Sequence, residues 1–285
     1  MERLIVLGTG HAVVEECYNT CFALQNDHEY LLVDAGGGNR ILKHLKEAKI
    51  PLTNIHHFFI THEHTDHLTG MVWVVRMISA MMKMGKYEGQ LHIYAHTKLV
   101  EGIRIICEVM LSKQVNGLWG NQIILHPLED GDTHEILGHT FTFFDILSTK
   151  AKQFGFTFIN DNNEKIVCCG DEPYNEGCFS YVQNASWLLH EAFCLYEHRD
   201  LYKPYEKHHS TALDAGKLAT SLNAKHLVLW HTEEDHLASR KELYTKEAAT
   251  AFNGNIYVPY DLEVINLKQK NRSPDSSFFY FNSVG

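Results

Sequence analysis

The chain has no long apolar segment, no run of basic residues and no linker rich in Pro, Gly or Ser. The longest apolar candidate, about Met71–Met84, contains Arg76 and Lys83 and is therefore too polar to span a membrane. Lys and Arg number 25 against 35 Asp and Glu, and the net charge of −10 disfavours sequence-independent binding to nucleic-acid phosphates. Because no linker divides the chain, residues 1–285 are predicted to form a single domain.

The cysteine spacing of a disulfide scaffold is also missing. The seven cysteines are an odd number, and they fit reduced thiols in a packed core better than a set of disulfides. An apolar run begins at Leu4, which leaves no room for a signal peptide before it. We therefore expect a cytoplasmic protein that does not associate with a membrane.

Short β-branched and aromatic runs recur in both halves of the chain, and segments with helical periodicity lie between them. This pattern predicts two sheets packed face to face and covered by helices. The predicted strands are Leu4–Leu7, Thr20–Leu24, Tyr30–Val33, Ile55–Ile60, Leu91–Ala95, Thr140–Ile146, Phe154–Ile159, Lys165–Cys169, Ser186–His190, Leu227–Trp230 and Leu262–Asn266. The predicted helices are Asn39–Ala48, Met71–Met84, Thr97–Leu111, Thr211–Leu222 and Ser239–Phe252, with residues 71–111 as a helical insertion.

Three histidines lie among carboxylates within residues 61–67, directly after an apolar run that ends at Ile60. Neutral imidazole and carboxylate suit Zn²⁺, Mn or Fe, and ligands from one short turn can serve two ions about 3.5–4 Å apart. A solvated histidine-rich loop is the alternative, because 20 histidines in the chain make some clustering expected by chance. A buried strand followed at once by alternating His and Asp favours the metal site, and with it a metal-dependent hydrolase.

The pattern His-x-His-x-Asp-His at residues 62–67 resembles the signature of the metallo-β-lactamase superfamily. Further segments resemble, in chain order, elements of the ribonuclease Z branch of that superfamily. These segments are Leu7–Gly10, Asp34–Gly38, Gly170–Asp171, Leu188–Ala192, His209–Thr211 and Leu227–His231. The resemblance spans nearly the whole chain, and it implies an α/β fold of four layers, an αββα sandwich.

The resemblance also implies a metal-binding set. One ion would be held by His62 and His64 and a second by Asp66, His67 and His231, with Asp171 as a bridge between them. We expect one or two divalent ions, Zn²⁺ foremost, with Mn or Fe as alternatives.

Catalytic roles follow from the same comparison. A water shared by two cations loses a proton near neutral pH, and Asp66 would orient the resulting hydroxide. His209 would protonate the leaving oxygen, although a supporting or helix-capping role is the alternative for it. His190 and Glu191 would either support the ligands or simply pack in the core.

One position departs from the family pattern. In the related enzymes a histidine some six residues before a Gly-aromatic pair completes the first metal site, and the same count from Gly155 reaches Thr149. A threonine hydroxyl is a poor zinc ligand, and Lys150 would bring an ammonium close to that place. We therefore expect either one tightly held ion or two ions of unequal affinity.

The length of one loop bears on the substrate. Ribonuclease Z enzymes that mature transfer RNA carry a long arm between the Gly-aromatic pair and the bridging aspartate, whereas residues 156–171 suffice only for a hairpin with an acidic turn. We therefore expect a phosphodiester or another small ester, in a pocket that residues 71–111 wall off. The alternatives are a ribonuclease Z-like endoribonuclease and a catalytically weak metal-binding sensor. The sequence leaves the oligomeric state open, a homodimer included.

Overall fold

In the part of the chain that the structure describes, two seven-stranded sheets pack face to face, and helices cover the outer face of each sheet. The structure is a computed structural model that describes Met1 and residues 3–268. The arrangement confirms the predicted αββα fold. Among the residues described, no helix is long and apolar enough to cross a membrane.

The strands are numbered along the chain, and within each sheet they follow a different spatial order. Sheet 1 consists, from edge to edge, of β14 (Val264–Asn266), β1 (Arg3–Gly8), β2 (Cys21–Asn26), β3 (Glu29–Val33), β4 (Ile55–Phe59), β5 (Leu91–His96) and β6 (Ile123–Leu128). Sheet 2 consists, from edge to edge, of β13 (Asn255–Tyr257), β12 (His226–Trp230), β11 (Trp187–Glu191), β10 (Lys165–Cys168), β9 (Phe154–Ile159), β8 (His139–Asp145) and β7 (Thr133–Ile136). Strands β3 to β6 run parallel to one another, as do β10 to β13.

The helices lie on the two outer faces. Sheet 1 is covered by α1 (Arg40–Glu47), α2 (Thr65–Lys83) and α3 (Thr97–Val115). The helical segments on the side of sheet 2 are α4 (Phe179–Val182), α5 (Arg199–Tyr202), α6 (Ala212–Ser221) and α7 (Arg240–Ala248).

Strand alternation assigns successive side chains to the two faces of a sheet. In β4, Phe58 packs against the helices, whereas Phe59 enters the layer between the sheets and lies 4.9 Å from Phe143 between ring centres. That layer is strongly aromatic, and burying each such ring contributes about 1.5–3 kcal/mol to stability. Its aromatic members are Phe22, Phe59, Tyr94, Phe141, Phe143, Phe154, Phe156, Phe158, Trp187 and Trp230.

The structure contains each predicted strand and helix, with ends shifted by a few residues in most cases. Three strands escaped the sequence analysis: β6, β7 and β13. Strand β6 contains Pro127, which is tolerated because β6 lies at the edge of sheet 1. Residues 71–111 contribute β5 to sheet 1 and pack their helices on its outer face, so they do not form the expected wall over the site.

Helix α2 approaches the turn after β3 very closely at Gly70. The backbone N–H of Gly70 donates to the oxygen of Gly36 at 2.8 Å, and a Cβ at residue 70 would lie 1.9 Å from the oxygen of Ala35. Only glycine allows this approach, which presses the second turn of α2 against the turn that follows β3.

We expect Gly70→Ala to lower the free energy of unfolding by about 1–3 kcal/mol, because the new methyl group must push α2 away from the turn. Gly102→Ala is the matched control, since an added Cβ at this α3 position meets nothing within 4 Å. The control should stabilise the protein by up to about 1 kcal/mol, because alanine is the better helix former. Urea unfolding followed by circular dichroism measures both, and equal effects would contradict the close approach.

Candidate metal centre

Segments that follow four strands meet at one edge of the sandwich. Asp34 follows β3, residues 61–67 follow β4, Asp171 comes after β10 and His231 follows β12. Parallel strands of one sheet end on the same side, so side chains just beyond them are brought together. The predicted ligands His62, Asp66, His67, Asp171 and His231 are buried there, and His64 is half-buried.

Four side chains form a compact cluster, here called the four-ligand position: Asp66, His67, Asp171 and His231. Nε2 of His67 lies 3.3 Å from Oδ2 of Asp66 and 3.3 Å from Oδ2 of Asp171. Nε2 of His231 lies 3.6 Å and 3.4 Å from the same two oxygens. Ligands of a tetrahedral zinc ion, with bonds of about 2.0–2.2 Å, lie about 3.3–3.6 Å apart. The observed separations therefore fit one divalent ion.

Hydrogen bonding on the far side of His67 determines which nitrogen faces the cluster. Nδ1 lies 2.7 Å from Oδ2 of Asp34, an ionised carboxylate that can only accept, so Nδ1 carries a proton. In neutral His67, Nε2 then presents a lone pair, and neither this atom nor Nε2 of His231 has a hydrogen-bond partner among the described residues. Buried lone pairs and carboxylates that face one another repel unless a cation lies between them. The donor set therefore fits a metal ion.

The electrostatics of the four-ligand position favour positive charge. Burial alone would lower the pKa of His67, but Asp66, Asp34 and Asp171 outweigh burial and raise the pKa well above its ordinary value. Burial alone would raise the pKa of Asp66, yet His67 and His231 hold it well below its usual range. A cation at this point, whether a proton or a metal ion, is thus stabilised by its surroundings.

His231 has a left-handed backbone with φ of 57°. This conformation costs about 1–2 kcal/mol for a residue with a side chain. The buried Arg240 offsets the cost from behind, because it donates to Oγ1 of Thr232 at 2.8 Å and to Oγ1 of Thr9 at 2.9 Å. The backbone N–H of Thr232 also donates to the oxygen of Thr9 at 3.1 Å, so the ligand loop after β12 is fastened to the loop after β1.

His62, His64 and Asp171 form a second group, here called the two-histidine position. Nε2 of His62 lies 2.9 Å from Nδ1 of His64 and 3.6 Å from Oδ2 of Asp171. The hydroxyl of Thr61 donates to Oδ2 of Asp34 at 2.7 Å, and its oxygen lies 2.9 Å from Nδ1 of His62. The two-histidine position thus brings two imidazoles and one carboxylate together.

Gln153, buried directly before β9, lies against the two-histidine position. Its Oε1 accepts from the backbone N–H of Asp171 at 3.1 Å, and its Nε2 donates to Oδ1 of Asp171. Nε2 also lies 2.9 Å from Nδ1 of His62. The backbone bond fixes the amide so that its NH₂ group, which has no lone pair for a metal, faces the carboxylate. The two-histidine position therefore has fewer ligands than the four-ligand position.

Thr149, where the sequence count placed the substituted ligand, lies at the exposed tip of a loop. The backbone N–H of Ile146 donates to the oxygen of Gln153 at 3.0 Å and closes this loop. Oγ1 of Thr149 lies 2.9 Å from Nδ1 of His208. The structure thus places Gln153, and not Thr149, beside the predicted ligands, because the residue next to β9 enters the site while the loop tip turns outward.

His209, the predicted proton donor, lies at the rim of the cluster. Its ring centre is 5.1 Å from that of His231, and its Nε2 is 3.5 Å from Nζ of Lys150. Burial and His231 lower the pKa of His209 to about 3, so the imidazole is uncharged at neutral pH and accepts from the lysine. His209 therefore needs a neighbour to supply any proton that it passes on, and Lys150 is the cation beside it.

Glu191 and His190, the predicted supporting residues, are both buried at the end of β11. Glu191 accepts from the backbone N–H groups of Ser210 at 2.6 Å and Phe193 at 3.1 Å, and it lies 3.7 Å from Nδ1 of His209. Glu191 thereby holds the segment that carries His209. Nδ1 of His190 lies 2.7 Å from the oxygen of Glu191, and burial lowers its pKa to about 4. Within the described residues, no hydrogen bond or ion pair joins His190 to a predicted ligand.

A cavity of about 420 Å³ opens over the cluster. Its size suits a small molecule better than a macromolecular groove. The lining residues are His11, Ala12, Glu63, His64, Thr65, Asp66, Lys150, Asp171, His209 and His231.

Sequence reasoning missed three residues of this site. Asp34 was recognised only as the start of the turn motif at residues 34–38, and its hydrogen bond to His67 was not predicted. Its place at the end of a strand, directly before a glycine-rich turn, could have indicated a site residue. His11 lies on the loop after β1, and nothing in the local sequence indicates that this loop reaches His231. Gln153 gave no signal, because an amide is not a typical ligand and its role depends on contacts across 18 residues with Asp171.

Similar proteins support the fold and its relation to ribonuclease Z. The ribonuclease Z of Thermococcus sibiricus (strain DSM 12597 / MM 739) is 25% identical, over 95% of this chain and 98% of that protein. The metallo-β-lactamase fold protein YhfI from Bacillus subtilis superposes with a TM-score of 0.73 at 18% identity, over 93% of this chain and 99% of that chain. Human tRNase Z, short form, gives a TM-score of 0.72 at 21% identity, over 94% of this chain and 100% of that chain. The predicted membership of the metallo-β-lactamase superfamily is confirmed.

One protein family matches the chain over most of its length. The family is described as "Anti-Pycsar protein Apyc1", and its profile covers residues 2–246. The matched region contains all six predicted metal ligands and the Lys150–His209 pair. The chain therefore belongs to the anti-Pycsar protein Apyc1 family.

Proposed function

We propose that this chain is a metal-dependent phosphodiesterase for a small substrate, with one divalent ion bound tightly at the four-ligand position. The observation that carries the proposal is the cluster of buried acceptors around His67 and His231, whose Nε2 atoms have no hydrogen-bond partner among the described residues. Zinc is the ion we expect there, because two imidazoles and two carboxylates suit it, with Mn or Fe as the alternatives. When bound, the ion supplies a Lewis acid that activates water and neutralises charge on the phosphoryl group.

The chain's own residues account for the remaining steps. Asp66 is positioned to accept a hydrogen bond from the attacking water and to aim its oxygen at phosphorus. Lys150 places a cation at the cavity rim, where it attracts the anionic phosphodiester. As the bond to the leaving oxygen breaks, the Lys150–His209 pair supplies a proton to that oxygen.

Two features favour a small phosphodiester over transfer RNA. Strands β9 and β10 form a tight hairpin, and only the five residues 160–164 join them, which leaves no chain for an RNA-gripping arm at this point. The net charge of −10 also disfavours a long phosphate backbone. The family is described as an anti-Pycsar protein, and we propose that this chain also acts against Pycsar. The cytoplasmic location stays a prediction, and the oligomeric state stays open.

The proposal is tested with the metal-loaded protein and four substrate types. Bis(p-nitrophenyl) phosphate and cyclic nucleotides represent small phosphodiesters, p-nitrophenyl acetate an acyl ester, and precursor transfer RNA a macromolecule. We expect turnover of small phosphodiesters and its loss in Asp66→Ala, because that variant lacks both a ligand and the group that aims the water. Cleavage confined to transfer RNA would instead favour a ribonuclease Z-like endoribonuclease, and metal binding without any turnover would favour a sensor.

A second prediction concerns metal content. His67→Ala or His231→Ala should remove more bound metal than His62→Ala, because the first two belong to the four-ligand position. Metal per chain is measured by elemental analysis after gel filtration, relative to the unchanged protein. Equal losses in all three variants would refute the unequal affinity of the two positions.

A substitution to histidine at Gln153 tests why the two-histidine position binds metal more weakly, and the same substitution at Thr149 is its matched control. Gln153→His should raise metal content, because it puts an imidazole beside His62 and Asp171. Thr149→His should leave metal content unchanged, because residue 149 faces His208 at the loop tip. The reverse result would mean that the loop before β9 adopts another path.

A third prediction concerns the proton donor. His209→Ala and Lys150→Met should leave metal content unchanged and should lower turnover by about 10²–10⁴-fold on phosphodiesters with poor leaving groups. p-Nitrophenyl esters should lose much less, because their leaving group departs as a stable anion. If His209→Ala loses metal, His209 is a ligand together with Glu191 and His231, which lie close enough to form such a group. If all substrates lose turnover equally, the pair acts in binding instead.

A further inference from the structure

A second histidine cluster lies away from the strand ends described above. It consists of His57 on β4, His92 on β5, His126 on β6 and His134 on β7 and is here called the edge cluster. Strands β6 and β7 are the edge strands of sheet 1 and sheet 2, so the cluster spans the open side of the sandwich. None of its members belongs to the four-ligand or the two-histidine position.

Strand alternation explains why these four side chains converge. Each histidine lies two residues before a member of the layer between the sheets, namely Phe59, Tyr94, Leu128 and Ile136. Residues two apart on a strand point to the same face, so all four imidazoles project into the gap between the sheets. There they continue the aromatic layer to its half-exposed margin.

The spacing of neighbouring ring centres is that of two imidazoles that share one ion, and the rings must turn to share it, because no three of them bring ligand atoms within 4.8 Å of one another in this structure. The ring centres of His92 and His126 are 5.2 Å apart, and those of His126 and His134 are also 5.2 Å apart. Two imidazoles bound tetrahedrally to one zinc ion, with bonds of about 2.0–2.1 Å, have ring centres about 5 Å apart. His57 stacks on His92 with ring centres 5.5 Å apart and is the nearest further imidazole on the side of β4.

Few of the ring nitrogens in this cluster are engaged by other groups. Nδ1 of His92 lies 2.9 Å from Nε2 of His126, and Nδ1 of His57 lies 3.1 Å from the hydroxyl of Tyr94. Within the described part of the chain, neither ring nitrogen of His134 has a hydrogen-bond partner. All four histidines are half-exposed, so an ion can reach them and the rings can turn toward it.

The charge state of the cluster is compatible with metal binding. Burial, followed by the neighbouring histidines, lowers the pKa of His57 and of His126 to about 4. Burial also lowers the pKa of His92 and of His134. Neutral imidazoles keep their lone pairs at pH 7, so protons do not compete with a metal ion.

We propose that His92, His126 and His134, with His57 as a fourth ligand, form a second metal site that takes Zn²⁺, Cu²⁺ or Ni²⁺. Its ligands are all imidazoles, which suit these ions, whereas Mg²⁺ and Mn²⁺ prefer the carboxylates that the edge cluster lacks. A bound ion ties β5 and β6 of sheet 1 to β7 of sheet 2 and thereby closes the open side of the sandwich. Because such an ion binds only the folded chain, it also raises the melting temperature.

The test counts metal on the full chain and needs no knowledge of the substrate. Zn²⁺ alone is titrated by equilibrium dialysis onto the unchanged protein, the double variant His126→Ala, His134→Ala, and the control His28→Ala, which removes an exposed histidine elsewhere. We expect the double variant to bind one Zn²⁺ per chain fewer than the other two proteins. It should keep its phosphodiesterase turnover and should lose part of the rise in melting temperature that Zn²⁺ gives the unchanged protein.

Other results would overturn the proposal. Equal zinc counts in all three proteins would mean that the edge cluster is packing only, and an equal loss in His28→Ala would mean non-specific surface binding. If the double variant fails to fold, His134→Gln replaces it, because this half-exposed edge-strand change removes one imidazole while keeping a polar side chain of similar size. Cu²⁺ added after one equivalent of Zn²⁺ should show electron paramagnetic resonance splitting from several imidazole nitrogens. His134→Gln should reduce that splitting, and an unchanged spectrum in this variant would likewise refute the site.

Discussion

The site depends on a group of buried acceptors that a cation stabilises. Oδ2 of Asp66 and of Asp171 and Nε2 of His67 and of His231 face one another in a buried pocket, within 3.3–3.6 Å along the measured contacts. All four are acceptors when both imidazoles are neutral and carry their proton on Nδ1, and burying such acceptors without a partner costs several kcal/mol. Strand ends from both sheets therefore meet at a point that positive charge stabilises. A metal ion bound there would couple its own binding to the packing of the two sheets.

Gln153 makes the two metal positions unequal. Its amide occupies the side of Asp171 that faces His62, and its orientation is fixed by the backbone N–H of Asp171. The amide donates to Oδ1 of Asp171 and offers no lone pair to a metal, so only His62, His64 and Asp171 could serve as ligands at the two-histidine position. Lys150 adds a positive charge at the rim, next to His209. With one ion at the four-ligand position, as proposed, the site would pair that ion with the cation of Lys150, which suits an anionic substrate that fits a cavity of about 420 Å³.

The sequence predicted those parts of the site that lie in one short segment of the chain. A strand followed by His-x-His-x-Asp-His can be recognised within a dozen residues, and the strands after it follow from their apolar runs. Gln153 could not be predicted, because its role depends on where β9 begins and the expected count pointed to Thr149 instead. Strand β6 was missed because Pro127 and His126 weaken its pattern, although an edge strand tolerates both. The edge cluster forms because four separate strands each direct one histidine into the gap between the sheets. The sequence alone does not show which strands are neighbours, so this convergence could not be predicted.

We expect one divalent ion to bind at the four-ligand position in preference to the two-histidine position. Anomalous diffraction at the zinc edge, from crystals grown with one equivalent of Zn²⁺, tests it most directly. The predicted result is a strong peak among Asp66, His67, Asp171 and His231, with a weak peak or none between His62 and His64. Peaks of equal height at the two positions, or no peak at the four-ligand position, would contradict the account.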